Sequence, residues 1–303
     1  VYLRPDTAQG IFVNFKNVME STRVKIPFGI GQIGKAFRNE IVTGGQIFRM
    51  REFEQMELEF FCAPGSDDEW YDYWKNARLQ WWKDLGVRPS RLRVREQDED
   101  ERAHYAKACG DVEYQYPWGW DEVEGVANRT DYDMQRHQEG SGRGLAYRDE
   151  AKKEWVVPYV IEPSAGVDRC FLTILCDAFE EEVKPNGEKR VVLHIHPKLA
   201  PTQVGVFPLV KRDGMPDRAR KIKDDVAKVF RAFYDEGGTV GKRYSRLDEV
   251  GTPYCVTVDS QTLEDGTVTI RDRDTMEQER VAEDQLVGFL ANKVATWTRA
   301  DDA

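Results

Sequence analysis

Residues 32–61 read QIGKAFRNEIVTGGQIFRMREFEQMELEFF, and this stretch decides the fold of the first half of the chain. It predicts one strand over residues 32–41 and a second over residues 47–61. Gly44 and Gly45 lie between them, and glycine readily adopts the positive φ angles of a tight hairpin turn. The segment therefore predicts an antiparallel hairpin.

One face of the return strand carries a chemical pattern. Arg49, Phe53 and Glu57 recur at intervals of four, and even spacing places residues on the same face of a strand. A cation, an aromatic plate and a carboxylate in a line suit a long ligand with an anionic end, a flat base and an ammonium. The apolar positions between them, such as Met56 and Phe60, are expected to face the core. The alternative is a solvated strand with charges placed by chance.

Composition narrows the class of protein. The chain has 303 residues, 40% of them hydrophobic and 32% charged, with a formal net charge of −10. This length predicts two domains with real cores, and the acidic balance disfavours a protein that depends on non-specific attraction to DNA or membranes. Because no apolar run is long enough, we expect no membrane span, and we expect no signal peptide. Because the sequence starts at Val1 rather than Met, we expect a fragment of a longer protein.

The cysteines and histidines give weaker signals. Five cysteines without a CxxC pair argue against a disulfide framework and favour a reducing cytoplasm. His194 and His196 alternate in VVLHIHP, where two histidines on one strand face can share a metal. The alternative is a strand with polar residues on one face.

The rest of the chain divides at the hydrophilic stretch KPNGEKR, residues 184–190, which predicts domains of residues 1–185 and 186–303. The further predictions for the first domain are a helix over 67–85, a solvated loop over 96–104, a surface segment without period over 133–153, a strand over 155–162 and a helix over 170–183. Those for the second domain are strands VVLHIHP, VGVFPLV and PYCVTVD, a helix near 217–236, a hairpin around Gly266 and a last helix near 281–297. Strands that alternate with helices indicate a small α/β domain.

Several motifs then point to one family. FRNE followed by RxxxFxxxE resembles motif 2 of class II aminoacyl-tRNA synthetases, and EPSAGVDR before an apolar helix resembles their motif 3. YLRPDTAQG, REFEQME and EGVANRTDYD resemble glycyl-tRNA synthetases in particular. The resemblance implies an α/β (α+β) fold: an antiparallel-sheet catalytic domain flanked by helices, then a small anticodon-binding domain with a mixed sheet. Motif 1 of the family precedes the segment where this chain begins.

The resemblance implies a site for ATP. Arg38 is expected to hold the α-phosphate and the attacking carboxylate, because its planar fork binds two oxygens at once. Arg49 and Arg169 are expected at the far phosphate, with Phe53 and Arg169 on opposite faces of adenine and Glu40 at its amino group. Arg38 and Arg169 are thus the predicted catalytic residues. The whole predicted ATP-binding set is Arg38, Asn39, Glu40, Phe48, Arg49, Met50, Arg51, Glu52, Phe53, Glu122, Val123, Gly166, Val167, Asp168 and Arg169. Mg2+ is expected at the phosphates, with its ligands unassigned.

The resemblance also implies a site for glycine. Asp6, Glu57 and Glu162 match positions that the family turns toward the ammonium, Ser164 lies beside them, and Arg129 matches a contact to the carboxylate. We expect Ser164 and nearby backbone to fill the space of a β-carbon. Asp6 is a departure from the Glu of many relatives, and its shorter side chain makes it the weakest contact. The predicted glycine-binding set is Asp6, Phe53, Glu54, Gln55, Met56, Glu57, Arg129, Glu162, Pro163, Ser164, Ala165 and Gly166.

The implied activity is a glycine–tRNA ligase, cytoplasmic and without a membrane, with tRNA(Gly), glycine and ATP as partners and a homodimer in the full-length protein. Lys242, Arg243, Arg271 and Arg273 are expected near loops of the second domain, where they could meet tRNA. One alternative is a non-catalytic accessory subunit of a polymerase that resembles this family; such a protein has no reason to keep Arg38, Phe53, Glu57 and Arg169 together. Another is an amidating or aminoacylating paralogue without tRNA specificity, and the C-terminal domain argues against it.

Overall fold

The computed structural model describes residues 2–149, 153–183 and 187–299. The chain forms two compact units: unit 1 is Val1–Asp84 with Pro89–Thr173, and unit 2 is Leu85–Arg88 with Ile174–Ala303. The boundary expected between residues 185 and 186 lies outside the described residues. By their internal contacts the two units divide between Thr173 and Ile174, and the boundary expected at residues 185 and 186 stays a prediction.

Unit 1 is built on a six-stranded sheet in which every neighbouring pair is antiparallel. Its strands are β1 (Phe28–Phe37), β2 (Glu52–Cys62), β3 (Leu92–Glu96), β4 (Ala108–Tyr116), β5 (Gly119–Thr130) and β8 (Tyr159–Gly166). Their order across the sheet is β1-β2-β8-β5-β4-β3. The antiparallel sheet predicted for the first domain is confirmed, and the segment quoted first supplies its β1–β2 hairpin.

Helices cover both faces of this sheet. They are α1 (Ala8–Thr22), α2 (Asp67–Asp84) and α3 (Tyr132–Ser141), while α4 (Val167–Ala178) follows β8 directly. On one face Phe60 packs against Trp70 and Trp74 of α2, with ring centroids 4.6 and 5.3 Å apart. On the other face Phe61 packs against Phe15 of α1 at 4.5 Å. The helix predicted over residues 67–85 is therefore confirmed.

The helix α1 forms because its apolar residues recur at helical spacing. Ala8, Ile11, Phe12 and Phe15 lie at i, i+3, i+4 and i+7, and all four are buried against the sheet. Thr7 occupies the N-cap position, yet its hydroxyl does not cap the helix. That hydroxyl is directed into the sheet instead, where it takes part in the site described below.

The expected division of β2 into a site face and a core face is wrong in two respects. Arg49 precedes the strand and pairs with Gly44 in an isolated bridge, so it does not share a strand face with Phe53 and Glu57. Both faces of β2 are also covered, since Phe61 on the predicted site face is fully buried. The reason is tertiary packing: α1 covers one end of this face of β2, and the other end of the same face stays open.

Unit 2 contains a five-stranded mixed sheet of order β12-β11-β13-β14-β15. The strands are β11 (Val204–Pro208), β12 (Ala232–Tyr234), β13 (Tyr254–Val258), β14 (Thr267–Asp272) and β15 (Gln278–Ala282), and the helices are α5 (Met215–Val226), α6 (Val240–Glu249), α7 (Ser260–Asp265) and α8 (Leu286–Ala295). The strand β11 runs parallel to both neighbours, and the other pairs are antiparallel. The predicted small α/β domain with a mixed sheet is confirmed.

Two further antiparallel pairs lie outside these sheets. One joins β6 (Tyr147–Asp149) to β7 (Glu154–Val156), and the other joins β9 (Phe179–Val183) to β10 (Lys189–Leu193). Residues 179–183 were expected to continue a helix, but FEEEV pairs with β10 as a strand. The segment 133–153 was expected to lack regular structure, but its described part contains most of α3 and the whole of β6. These polar segments have only weak propensity for regular structure, so the sequence did not indicate the helix and strands. Packing across strands and against helices outweighs such weak local propensity.

Two predicted elements of unit 2 are also placed differently. The helix expected over 217–236 ends at Val226, because residues 232–234 pair with β11 as an edge strand. Gly266 was expected in a hairpin turn, but it adopts φ 72° at the C-terminus of α7, a left-handed position that favours glycine. The β14–β15 hairpin turns after Asp272 instead. Across the residues that the structure describes, no helix is both long and apolar enough to cross a membrane.

Candidate active site

A polar cavity of about 310 Å³ opens in unit 1 where β2, β8 and the start of α4 meet the β1–β2 hairpin. The residues lining it are Arg38, Glu40, Ile47, Phe48, Arg49, Met50, Phe53, Gln55, Glu122, Ser164, Gly166, Asp168 and Arg169. All of them except Ile47 were predicted from the sequence. Three guanidinium groups around a flat aromatic ring make this a site suited to a phosphorylated ligand with a planar base.

Arg38 projects from the end of β1 into this cavity. Its Nε donates to the carbonyl of Pro5 at 3.3 Å, and its guanidinium lies 5.4 Å from the ring centroid of Phe53. The backbone N–H of Arg38 also donates to the carbonyl of Arg51 at 2.9 Å. The side chain is therefore oriented from one side while the rest of its donors stay exposed for a ligand.

Arg169 enters from the first turn of α4. Its guanidinium lies 4.2 Å from the ring centroid of Phe48, and its Nη1 donates to the carbonyl of Glu122 at 2.9 Å. Phe48 is itself held edge-on by Tyr116 and Trp118, at 5.2 and 5.5 Å. A cation placed on a buried ring keeps its charge but loses freedom, so Arg169 is preorganised.

Other predicted nucleotide residues lie beside the cavity rather than on its wall. Arg51 donates through Nε to the carbonyl of Glu40 at 2.9 Å, which holds the hairpin loop. Glu52 is exposed and forms an ion pair with Lys35 at 3.2 Å on the outer face of the hairpin. Asn39 is exposed, Val123 is buried and Val167 is half-buried.

The far end of the predicted site is a cluster of carboxylates, of which Glu57 is the most fully bonded. One oxygen, Oε2, accepts hydrogen bonds from both the backbone N–H, at 2.8 Å, and the hydroxyl of Thr7. The other, Oε1, accepts from Gln55 at 2.7 Å and from the hydroxyl of Ser164 at 3.1 Å. Four donors therefore fix this carboxylate, which is only 5% exposed.

Glu162 lies in the same cluster and is bound by a cation. Its Oε2 accepts from Arg129 Nη1, while Arg129 Nε and Nη2 donate to the two oxygens of Asp133 at 2.6 and 2.9 Å. Burial raises the pKa of Glu162 to about 7, against the lowering effect of Arg129. The guanidinium of Arg129 is thus already bonded to two carboxylates of the protein. Its expected contact with a substrate carboxylate stays a prediction.

The remaining predicted glycine-site residues follow the alternation of the strands. Glu54 is exposed, and its backbone N–H donates to Asp168 at 2.9 Å. Met56 and Pro163 line a separate hollow beside Arg78 and Glu124. Ala165 is buried. Asp6 stands before α1, where its Oδ1 accepts from the N–H of Gln9 at 3.4 Å.

Sequence reasoning missed four residues of this site. Ile47 precedes Phe48 in the hairpin, and its apolar character gave no separate signal. Thr7 and Asp133 act only through partners, Glu57 at a separation of 50 residues and Arg129 at a separation of four. Glu59 shares the face of β2 with Phe53 and Glu57, so the same period of two that selected those residues also marks it.

Unit 2 corrects the prediction for its arginines. Arg243, Arg271 and Arg273 are only 2%, 7% and 1% exposed. Arg271 donates to both oxygens of Asp248, at 2.8 and 3.1 Å, and Arg273 donates to the carbonyls of Ile195 and Gly251. These cations brace the unit and are not available to nucleic acid, whereas Lys242 is exposed.

The sequence left a shared metal and a polar strand face as alternatives for His194 and His196, and both histidines lie beyond the end of β10. Among the described residues, the one cluster of ligand-type side chains joins His194 to Glu180 and Glu182, without His196. His194 Nε2 lies 2.7 Å from Glu182, and its Nδ1 lies 2.7 Å from Asp274. Both carboxylates of the cluster are also ion-paired with arginines, which compensates their charge without a metal.

Comparison with known proteins agrees with this geometry. Residues 1–179 match the model of the tRNA synthetase class II core domain (G, H, P, S and T), and residues 203–293 match that of the anticodon binding domain. Because the first match alone covers more than half of the sequence, the chain belongs to the class II tRNA synthetase family.

The relatives narrow this further. The chain is 53% identical over 296 residues to the glycine–tRNA ligase of Staphylococcus haemolyticus and 54% identical over 296 residues to that of Agathobacter rectalis. It is also 54% identical over 294 residues to the glycine–tRNA ligase of Caldanaerobacter subterraneus. Each alignment covers 97% of this chain but only 63–64% of the relative. The resemblance to glycyl-tRNA synthetases predicted from the sequence is confirmed.

Proposed function

We propose that the protein is a glycine–tRNA ligase. It activates glycine with ATP to glycyl-adenylate and pyrophosphate, and then transfers glycine to the 3′ end of tRNA(Gly). One observation carries the proposal: Arg38, Phe53, Arg169 and Ser164 line a single cavity, in a chain about half identical to glycine–tRNA ligases.

The cavity suits the first step. A glycine carboxylate oxygen attacks the α-phosphorus, a new O–P bond forms, and the bond to the pyrophosphate oxygen breaks. Arg38 neutralises charge on the α-phosphate and orients the attacking carboxylate, while Arg169 and Arg49 lie where the leaving pyrophosphate carries its charge. Such positioning and charge neutralisation are the main work of a protein at an in-line displacement.

The second step consumes the adenylate. A terminal hydroxyl of tRNA attacks the glycyl carbonyl carbon and gives up its proton to the departing phosphate. The ester to the tRNA forms as the bond between that carbon and the phosphate oxygen breaks, and AMP leaves. The match to an anticodon binding domain over residues 203–293 supports tRNA(Gly) as the partner. The exposed Lys242 stays a predicted contact to tRNA.

Mg2+ is part of the proposal as a companion of ATP. In the described part of unit 1, no group of three ligand-type side chains lies at the cavity. This fits an ion held mainly by phosphate oxygens, which Mg2+ prefers to an all-protein cage. Glu122 and Glu40 are the carboxylates on the wall that could add a ligand, and the ion would supply further neutralisation of phosphate charge.

Two further properties complete the proposal. No disulfide joins the five cysteines, all of which lie among the described residues, and this suits a reducing cytoplasm. The strand β1 is an edge of its sheet and exposes 69% of Ile33, which suits the homodimer that the family resemblance implies for the full-length protein.

Glycine-dependent exchange of pyrophosphate into ATP tests the proposal directly. The full-length gene product is expected to catalyse exchange with glycine and not with alanine or serine, and to charge tRNA(Gly). Binding of tRNA without any exchange would favour the alternative of a non-catalytic accessory subunit. Exchange without charging would favour the paralogue that lacks tRNA specificity.

A further inference from the structure

Glu59 is a buried carboxyl whose role neither the site chemistry nor the packing accounts for. It is completely buried, at 0% exposure, and no N–H or O–H group of the described residues donates to either of its oxygens. An ionised carboxylate in that position would lack every hydrogen bond that such a charge requires. The group therefore needs either a proton or a partner.

The register of the sheet identifies the partner. Glu57 stands opposite Ser164 and Phe60 opposite Ile161 across β2 and β8, and the same register places Glu59 opposite Glu162. The two side chains lie on the face that also carries Glu57. Two carboxyl groups at opposed positions cannot both be ionised without strong repulsion, but one proton between them makes a short, strong hydrogen bond.

The charges around this pair decide where the proton sits. The surrounding titratable and charged groups are Glu57 on β2, Glu162 on β8, Arg129 on β5, Cys109 on β4, Asp133 on α3 and Tyr105 in the loop before β4. The guanidinium of Arg129 thus lies among four carboxyl groups, those of Glu57, Glu59, Glu162 and Asp133. Arg129 donates to Glu162 and Asp133, while Glu59 receives nothing. Burial raises the pKa of Glu59 well above its ordinary value, and the nearby Glu162 raises it further.

We propose that Glu59 is a positioning residue of the amino-acid pocket: as a neutral acid it donates a hydrogen bond to Glu162 and holds that carboxylate in place for a substrate ammonium. Glu162 is then fixed from two sides, by Arg129 and by Glu59, as Glu57 is fixed by Thr7, Gln55 and Ser164. Two rigid carboxylates leave a small ammonium little freedom, which suits the smallest amino acid. This inference rests on the proposed function for its ligand.

The test compares two substitutions of Glu59. Gln is nearly isosteric with the neutral acid and keeps an N–H donor, so Glu59→Gln should leave the KM for glycine within about twofold of wild type. Leu removes the donor, so Glu59→Leu should raise the KM for glycine about tenfold or more, the scale of a lost hydrogen bond to a charged group. The KM for ATP should not change in either variant, because Glu59 does not line the nucleotide cavity.

A pH series of melting temperatures gives an independent readout. Because the folded-state pKa of Glu59 is raised, the folded protein loses stability relative to the unfolded chain as the pH rises from about 4.5 toward that pKa. Glu59→Gln removes this loss, so it should melt above wild type at pH 8, with the difference shrinking toward pH 4.5. The matched control is Glu113→Gln, a buried carboxylate of β4 paired with Arg93 and Arg95, which should melt below wild type at pH 8.

The outcomes separate cleanly. The inference is overturned if Glu59→Gln raises the KM for glycine as much as Glu59→Leu, or if it melts below wild type at pH 8 as the control does, because either result means that the charge of Glu59 is needed. It is also overturned if Glu59→Leu folds and binds glycine normally. Should Glu59→Leu fail to fold, the Gln variant decides alone. Absence of glycine-dependent exchange in wild type would refute the proposed function instead, and the melting series would still report the proton on Glu59.

Discussion

Ser164 of β8 stands opposite Glu57 of β2, and its hydroxyl donates to Glu57 Oε1 over 3.1 Å. Two motifs that lie 107 residues apart in the sequence are thereby joined into one pocket wall. The same hydroxyl oxygen accepts from Gln55 Nε2 at 3.0 Å, so the carboxylate, the amide and the hydroxyl form one network. The geometry of this network underlies the predictions that concern glycine.

Arg38→Ala should lower glycine-dependent pyrophosphate exchange at least about 100-fold, because loss of one main donor to a transition-state oxyanion has that scale. Binding of tRNA should stay near wild type, as measured by filter retention. The matched control is Arg136→Ala, since Arg136 is exposed on α3 and pairs with Glu139 and Tyr132 of the same helix. Near-normal exchange in Arg38→Ala would contradict the role assigned to it.

Thr7→Val should raise the KM for glycine about tenfold and leave the KM for ATP unchanged. Valine keeps the shape of threonine but removes the hydroxyl that donates to Glu57, and a hydrogen bond to a charged group is worth about 1.5–3 kcal/mol. Steady-state exchange kinetics give both constants. Thr22→Val, which removes a hydroxyl at the exposed end of the same helix, should change neither; an equal effect there would show that α1 stability is being measured.

Phe48→Leu should raise the KM for ATP several-fold. Leucine fills part of the space but lacks the π face on which Arg169 rests, and such a cation–π contact is worth about 0.5–2 kcal/mol. Exchange assays at saturating glycine measure the change. The control is Phe171→Leu, an exposed phenylalanine of α4, which should behave as wild type. An unchanged KM in Phe48→Leu would mean that Arg169 is oriented by its hydrogen bonds alone.

Asp248→Asn should destabilise unit 2 by about 3–5 kcal/mol, because it leaves Arg190 and Arg271 buried with reduced compensation of charge. Urea unfolding followed by circular dichroism measures the change. Lys242→Ala at an exposed position should stay within about 0.5 kcal/mol of wild type. If the two variants unfold alike, the buried network is not what holds this unit.

Asp259→Asn should lower the stability of unit 2 at neutral pH. The carboxylate accepts from Arg280 and from the N–H of Thr262, and hydrogen bonding to Arg280 keeps the pKa of Asp259 well below its ordinary value. A lowered folded-state pKa adds stability above the unfolded pKa, and this stability is lost as the pH falls below about 4. Asparagine still caps a helix, so the variant isolates the charge. The melting temperatures of the two proteins should converge in acid; a constant gap would assign the loss to capping instead.

Local patterns were sufficient to predict much of the site. The period of two in β2 placed Phe53 and Glu57 on one face, because side-chain direction in a strand depends only on backbone geometry. The same reasoning failed at Arg49, because this residue pairs with Gly44 in an isolated bridge of the hairpin turn and the regular strand begins only after it. Helical periodicity failed in a similar way at β12. The sequence pattern suggested one continuous helix, but the pairing of β12 with β11 ends it.

The sequence by itself determined which side chains are available and the order in which β2, β8 and α4 present them, since motif spacing and strand alternation are local properties. Only the tertiary structure decided what each charged group does. Arg169 and Arg271 look alike in the sequence, yet one lines an open cavity and the other is saturated by Asp248. The physical reason is that a charge binds a ligand only where burial and neighbouring residues leave its hydrogen-bonding capacity unsatisfied, and those neighbours come from distant parts of the chain.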